Sequence, residues 1–158
     1  NNGLRDAKRF GDGEPHPFPV TVAFMKEAIG MLRAVAADAE EASESGAAVA
    51  DVPLFRGMKG MEVDGDFLRK GGTELAPMST TSDLGIAMHY SASESSLLLR
   101  VASSSFMNKA PEISFLSAFP AEKEYLFPPL CYLKPTGSVQ TLRVDDANYT
   151  VVDVEASI

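Results

Sequence analysis

The apolar positions of the chain fall into two regimes. Over residues 20–44, VTVAFMKEAIGMLRAVAADAEEASE, the side chains Val22, Met25, Ile29, Leu32, Val35 and Ala36 recur at intervals of three and four. That spacing predicts an amphipathic helix, with acidic residues accumulating at its far end. Ahead of it, residues 1–19 carry Gly, Pro and charge without sustained periodicity, and predict an irregular lead-in to a single domain spanning residues 20–158. Downstream the apolar runs shorten. LFRGM, after Pro53, is stopped by Gly57 and predicts a brief buried strand; KGGTELAPMSTT turns on glycine into a proline-marked edge and a hydroxyl-rich segment. SDLGIAMHYSA predicts a short helix capped by Ser82 or Asp83. After the serine-rich SASESS, strands are predicted over residues 97–102 and 124–133, then as a final pair over 140–144 and 149–154 joined by the turn-forming DDAN. A helix followed mostly by strands implies an α+β domain with an antiparallel-rich core rather than a βαβ series.

The 158 residues, 45% of them hydrophobic, suffice for one real core and are too few for two comfortable ones. Fourteen Lys and Arg stand against 22 Asp and Glu, a net charge of -8, which argues against general attraction to nucleic acid or to an anionic membrane. One cysteine, Cys131, and two histidines, His16 and His89, leave no material for a disulfide framework or a Cys/His zinc cluster, and no metal is expected. Cys131 reads as a small buried hydrophobe. No apolar run approaches the roughly 20 residues of a membrane span. The opening NNGLRDAKRF has neither an initiator Met nor a signal-type apolar core, and suggests a monomeric domain of a longer chain whose compartment is left open.

Three stretches could carry chemistry. FPAEKEYLFPP places Glu122 and Glu124 either side of Lys123 at the start of an apolar run. Read as a strand, it turns both carboxylates to one face and the lysine to the other. Such a pair is either a solvated charge cluster guarding a hydrophobic strand or a site for a cationic species, as in glycosidic cleavage through an oxocarbenium-like transition state. Arg56 lies inside the otherwise apolar PLFRGM. Its guanidinium needs an anion there, whether Glu124 or an aspartate in a structural ion pair, or a bound phosphate. The hydroxyls of STTS, Ser79 to Ser82, either cap a helix and line a β edge or hold a catalytic carboxylate in place.

In that order, an arginine strand, a Ser-Thr-x strand and a Glu-x-Glu strand, the chain resembles the cholera-toxin-like mono-ADP-ribosyltransferases over residues 52–133. The resemblance implies an ADP-ribosyltransferase-like fold: N-terminal helices packed on a two-sheet, antiparallel-rich β core with an NAD cleft. It implies that Arg56 binds the NAD pyrophosphate and braces the strands, and that Gly57 lets backbone approach the nicotinamide carboxamide. Ser79 would orient Glu124, Thr80 would shape the pocket near the ribose, and Tyr90 would stack on nicotinamide, its alternative being a core or helix-face tyrosine. Phe119 would present the acceptor, and SASESS would form a mobile loop over the phosphate and nicotinamide. Glu124 would bind the ribose 2'-OH and stabilise the oxocarbenium charge, while Glu122 would receive an arginine acceptor. The family's second serine is here Thr81, which keeps a hydroxyl and adds a β-branch. The implied activity is arginine-specific mono-ADP-ribosylation of a protein, as a toxin, an effector or a housekeeping enzyme. An NAD glycohydrolase using water, or a non-catalytic NAD-binding module, are the alternatives.

Overall fold

The computed structural model describes residues 4, 18–42, 52–102 and 108–158. The lead-in expected over residues 1–19 therefore lies, apart from residues 4, 18 and 19, outside the described residues. Helix α1 (Pro19–Ala42) covers the predicted segment. Ile29 is buried on it, and Val22, Met25, Leu32 and Ala36 are partly covered, but Val35 is exposed. Six positions beyond Ile29, at about 100° per residue, Val35 points about 120° away from the buried stripe.

Among the described residues seven strands follow: β1 (Leu54–Lys59), β2 (Gly72–Glu74), β3 (Met78–Thr81), β4 (Ser96–Ala102), β5 (Glu124–Phe127), β6 (Cys131–Val144) and β7 (Ala147–Ser157). Helix α2 (Gly65–Lys70) precedes β2, and α3 (Leu84–Ser91) lies between β3 and β4. The strands are ordered β2-β6-β7-β4-β1-β3-β5, with β4 and β7 parallel and the other neighbours antiparallel. The two-sheet core expected from the sequence is instead one hydrogen-bonded order of seven. Its weakest seam lies between β1 and β3, which meet through the pair Phe55 and Thr81, whereas β1 and β4 run together from Leu54 opposite Val101 to Lys59 opposite Ser96.

The consecutive leucines of β4 serve both faces of the sheet. Leu97 and Leu99 join Met78, Phe127, Val152 and Val154 on one side, and Leu98 joins Val151 and Ala87 of α3 on the other. A central strand buried on both faces needs such a run. The strand predicted over residues 124–133 is broken: Pro128 and Pro129 have no N–H to continue a ladder, and Leu130 takes a left-handed conformation before β6 begins at Cys131. The final hairpin is longer than predicted because β6 runs through Pro135 and Gly137. A register shift against β7 between Pro135 and Val139 absorbs them.

Candidate active site

Strand β3 pairs with β5 so that Ser79 faces Leu126 and Thr81 faces Glu124. Opposed residues of an antiparallel pair share a face, which puts Ser79, Thr81 and Glu124 on one side and sends Met78 and Phe127 into the core. Ser79 stands diagonally across from Glu124, and its hydroxyl donates to Glu124 Oε1 at 2.7 Å. Thr80 Oγ1 donates to the carbonyl of Tyr125 at 3.0 Å, and Thr81 Oγ1 to the carbonyl of Glu122 at 2.7 Å while accepting from Asp83 N at 3.0 Å. The threonine in the second serine position thus ties the Glu-x-Glu turn to the end of β3.

Glu122 and Glu124 are not brought together by strand alternation. Pro120–Glu122 forms a single 3-10 turn, Lys123 is left-handed at φ 47°, and β5 begins only at Glu124. Proline at the first position of the turn, preorganised in φ, sets this geometry. The two carboxylates still line one cleft, each held by a separate hydroxyl, because Tyr90 Oη donates to Glu122 Oε1 at 2.6 Å. Beside these carboxylates the Tyr90 phenol is pushed above its ordinary range: by the hydrogen bond to Glu122 first, then by desolvation, then by the charges of Glu122 and Glu124.

Where Glu124 or an aspartate was the expected ion-pair partner, Arg56 meets Glu74. Its Nη2 donates to Glu74 Oε2 at 3.3 Å and its Nη1 to the carbonyl of Ser79 at 3.3 Å, while Glu74 Oε1 accepts from Ala76 N at 3.1 Å. The guanidinium fork therefore bridges β2 and β3 from a position on β1. Sequence reasoning missed Glu74, since GGTE reads as a glycine turn and the three-residue strand β2 exists only by pairing with Gly72, Thr73 and Glu74 opposite Leu133, Tyr132 and Cys131.

Gly57 sits where α3 comes closest to the sheet. A β-carbon there would meet the carbonyl oxygen of Ala87 at 2.0 Å, so glycine is required to seat the helix. The helix is fixed at its start by Asp83, whose Oδ1 accepts from Gly85 N at 2.9 Å and Ile86 N at 3.3 Å. The segment expected to be a mobile loop is laced by its own serines: Ser93 Oγ donates to the carbonyl of Ser95 and accepts from Gly60 N, and Ser96 Oγ donates to the carbonyl of Ser91. Residues 92–96 do not line the cleft.

The cleft encloses about 380 Å³. Arg56, Gly57, Ser79, Thr80, Tyr90, Phe119, Glu122 and Glu124, all named from the sequence, line it, and Phe55, Pro77, Thr81 and Ile86 complete the wall. Phe119 is 65% exposed at the rim beside Glu122. Cys131 is buried away from the cleft, its thiol pushed up to about 11 by desolvation. Among the described residues no group of three or more acidic, histidine or cysteine side chains could hold a metal, and no helix is long and apolar enough to cross a membrane.

The architecture is an ADP-ribosyltransferase fold. The ADP-ribosyltransferase HopU1 of Pseudomonas syringae pv. Tomato DC3000 superposes with a TM-score of 0.58 at 18% identity, covering 98% of this chain and 59% of its own. Plx2a, an ADP-ribosyltransferase toxin from Paenibacillus larvae, superposes with a TM-score of 0.53 at 16% identity, covering 98% of this chain and 96% of its own. This chain thus spans less than two thirds of HopU1 and nearly all of Plx2a. No family model matches the sequence, nor does any curated protein.

Proposed function

We propose that the protein is a mono-ADP-ribosyltransferase that moves ADP-ribose from NAD to an arginine side chain of a protein and releases nicotinamide. The observation that carries this reading is the Ser79 to Glu124 hydrogen bond of 2.7 Å in the same cleft as Arg56 and Glu122. The nicotinamide of NAD is a pyridinium, so it departs with the bonding electron pair, needs little acid assistance and leaves a cationic sugar. A fixed carboxylate beside the ribose stabilises that charge more in the transition state than in the ground state. Glu124, on a strand and held by Ser79, has that role. Arg56 anchors the pyrophosphate through its planar fork. Gly57 admits the carboxamide to the β1 backbone, Thr80 shapes the ribose pocket, and the ring of Tyr90 is the wall against which nicotinamide stacks.

Glu122 and Phe119 face the acceptor. The attacking guanidinium nitrogen bonds to the ribose C1' and loses a proton, which the Glu122 carboxylate receives. Incubation with labelled NAD and agmatine, a small guanidine, tests the reading. Labelled agmatine and nicotinamide should form together. Glu124→Gln should abolish both, and Glu122→Gln should lower the ratio of transfer to NAD hydrolysis. Free ADP-ribose as the only product would make the protein a glycohydrolase, and absence of nicotinamide release would make it a binding module; transfer unchanged in both variants refutes the assignment.

A further inference from the structure

Glu122 and Glu124 are held by different means. Glu124 lies in the β5 ladder, opposite Thr81, and its carboxylate is fixed by its neighbour on the sheet, Ser79. Glu122 ends a 3-10 turn outside the ladder, with exposed residues on both sides of it and a left-handed residue immediately after. Its backbone is fixed, since its N–H donates to the Phe119 carbonyl at 3.0 Å and its own carbonyl accepts from Thr81. Those contacts leave its side-chain torsions undetermined. What locates the carboxylate is the Tyr90 hydroxyl at 2.6 Å, reaching it from 32 residues away on α3.

Tyr90 can carry that duty because its base is rigid. It lies in the last turn of an eight-residue helix capped by Asp83 and seated against Gly57, and its ring meets that of His89 edge-on at 5.9 Å. We infer that Tyr90 is an acceptor-specificity residue: its hydroxyl orients the Glu122 carboxylate for an incoming guanidinium, so that helix α3, and not the Glu-x-Glu turn alone, selects the acceptor. The phenol has one proton and donates it to Glu122 Oε1. Oε2 and the phenol lone pairs remain as two acceptor points, a pattern suited to the planar, multiply donating guanidinium and wasted on an acceptor with a single donor. This duty belongs to the hydroxyl, distinct from the stacking duty of the ring, and it rests on the arginine transfer proposed above.

The test separates hydroxyl from ring and coupling from simple damage. Wild type, Tyr90→Phe, Glu122→Gln and the double variant are assayed with labelled NAD and agmatine, reading transfer and ADP-ribose release in the same reaction. At a position 52% exposed, phenylalanine folds without a buried void. Tyr90→Phe is expected to lower kcat/KM for agmatine about tenfold, the scale of one charge-assisted hydrogen bond, mainly through the KM for agmatine. The transfer-to-hydrolysis ratio should fall with it. In the Glu122→Gln background the same change should cost little more, because the partner of the hydroxyl has already been altered. An unchanged ratio in Tyr90→Phe, equal loss of transfer and hydrolysis, or additive losses in the double variant overturns the inference while leaving the transferase reading standing. Failure of the wild type to modify agmatine sinks both.

Discussion

Gly57→Ala measures how closely the helix that carries Tyr90 must lie against the sheet. The added methyl would stand 2.0 Å from the Ala87 carbonyl oxygen and 3.0 Å from Ser91 N, where ordinary contact begins at 3.4 Å. Relief of 3.4 minus 2.0 requires a retreat of about 1.4 Å, and the obstructing atoms are helix backbone, which cannot rotate aside as a side chain would. Overpacking of this kind costs about 1–3 kcal/mol. In a domain of this size each kcal/mol lowers Tm by about 2–4 °C, so a fall of about 6 °C is expected, and thermal unfolding followed by circular dichroism reads it. The site should suffer as well. Moving α3 by 1.4 Å stretches the 2.6 Å contact between Tyr90 and Glu122 beyond hydrogen-bond reach, so transfer to agmatine should fall more than NAD hydrolysis. A variant that melts within 1 °C of wild type and keeps its ratio of transfer to hydrolysis would refute the claim that glycine is there to seat the helix.

Two further outcomes follow from the same elements. Asp83→Ala removes the side chain that accepts from Gly85 N and Ile86 N, and should cost about 0.5–2 kcal/mol, read as a lower urea midpoint at unchanged slope. Arg100 grips Asp153 across β4 and β7, with Nε on Oδ1 at 2.7 Å and Nη2 on Oδ2 at 2.5 Å. The hydrogen bond to Arg100 leads the causes that hold the Asp153 carboxyl below its ordinary range, and burial opposes it. Because the folded value is depressed, this stabilisation is present above the unfolded carboxylate value near about 3.9 and disappears as pH falls through the folded one. Arg100→Met should therefore be less stable than wild type by up to about 1 kcal/mol at neutral pH, and the gap should close toward pH 2; a gap constant across that range excludes the linkage.

The residues that form the site were legible in the sequence where chemistry is tied to local pattern. Arg56 in an apolar strand, hydroxyls at the start of the next, and a Glu-x-Glu segment mark positions that strand pairing then gathers, and the Ser79 to Glu124 contact spans 45 residues through the β3–β5 register. What escaped was geometry decided by tertiary partners. Alternation along a continuous strand gave the wrong account of Glu122, though Pro120 was a visible turn signal. Glu74 was hidden because a three-residue strand has no period to detect, and its existence depends on β6. The Tyr90 hydroxyl was hidden for the same reason: side-chain partners 32 residues apart leave no trace in spacing. Pro135 and Gly137 concealed half of β6, since nothing local distinguishes a bulge from a strand end.

The cleft lies where the sheet is least well joined, and one residue accounts for both facts. Beyond Phe55 and Thr81 the β1–β3 ladder stops, so the Arg56 and Gly57 edge of β1 fronts a cavity instead of a strand. A seam of one pair would part easily. Arg56 closes it at the side-chain level, holding the Ser79 carbonyl on β3 with one arm of its fork and Glu74 on β2 with the other. Lysine, a single ammonium on a flexible stem, could not span two strands in fixed directions. The same guanidinium therefore keeps the gap from widening and charges its wall, and the opening through which substrate would enter exists because backbone pairing was replaced there by a side chain.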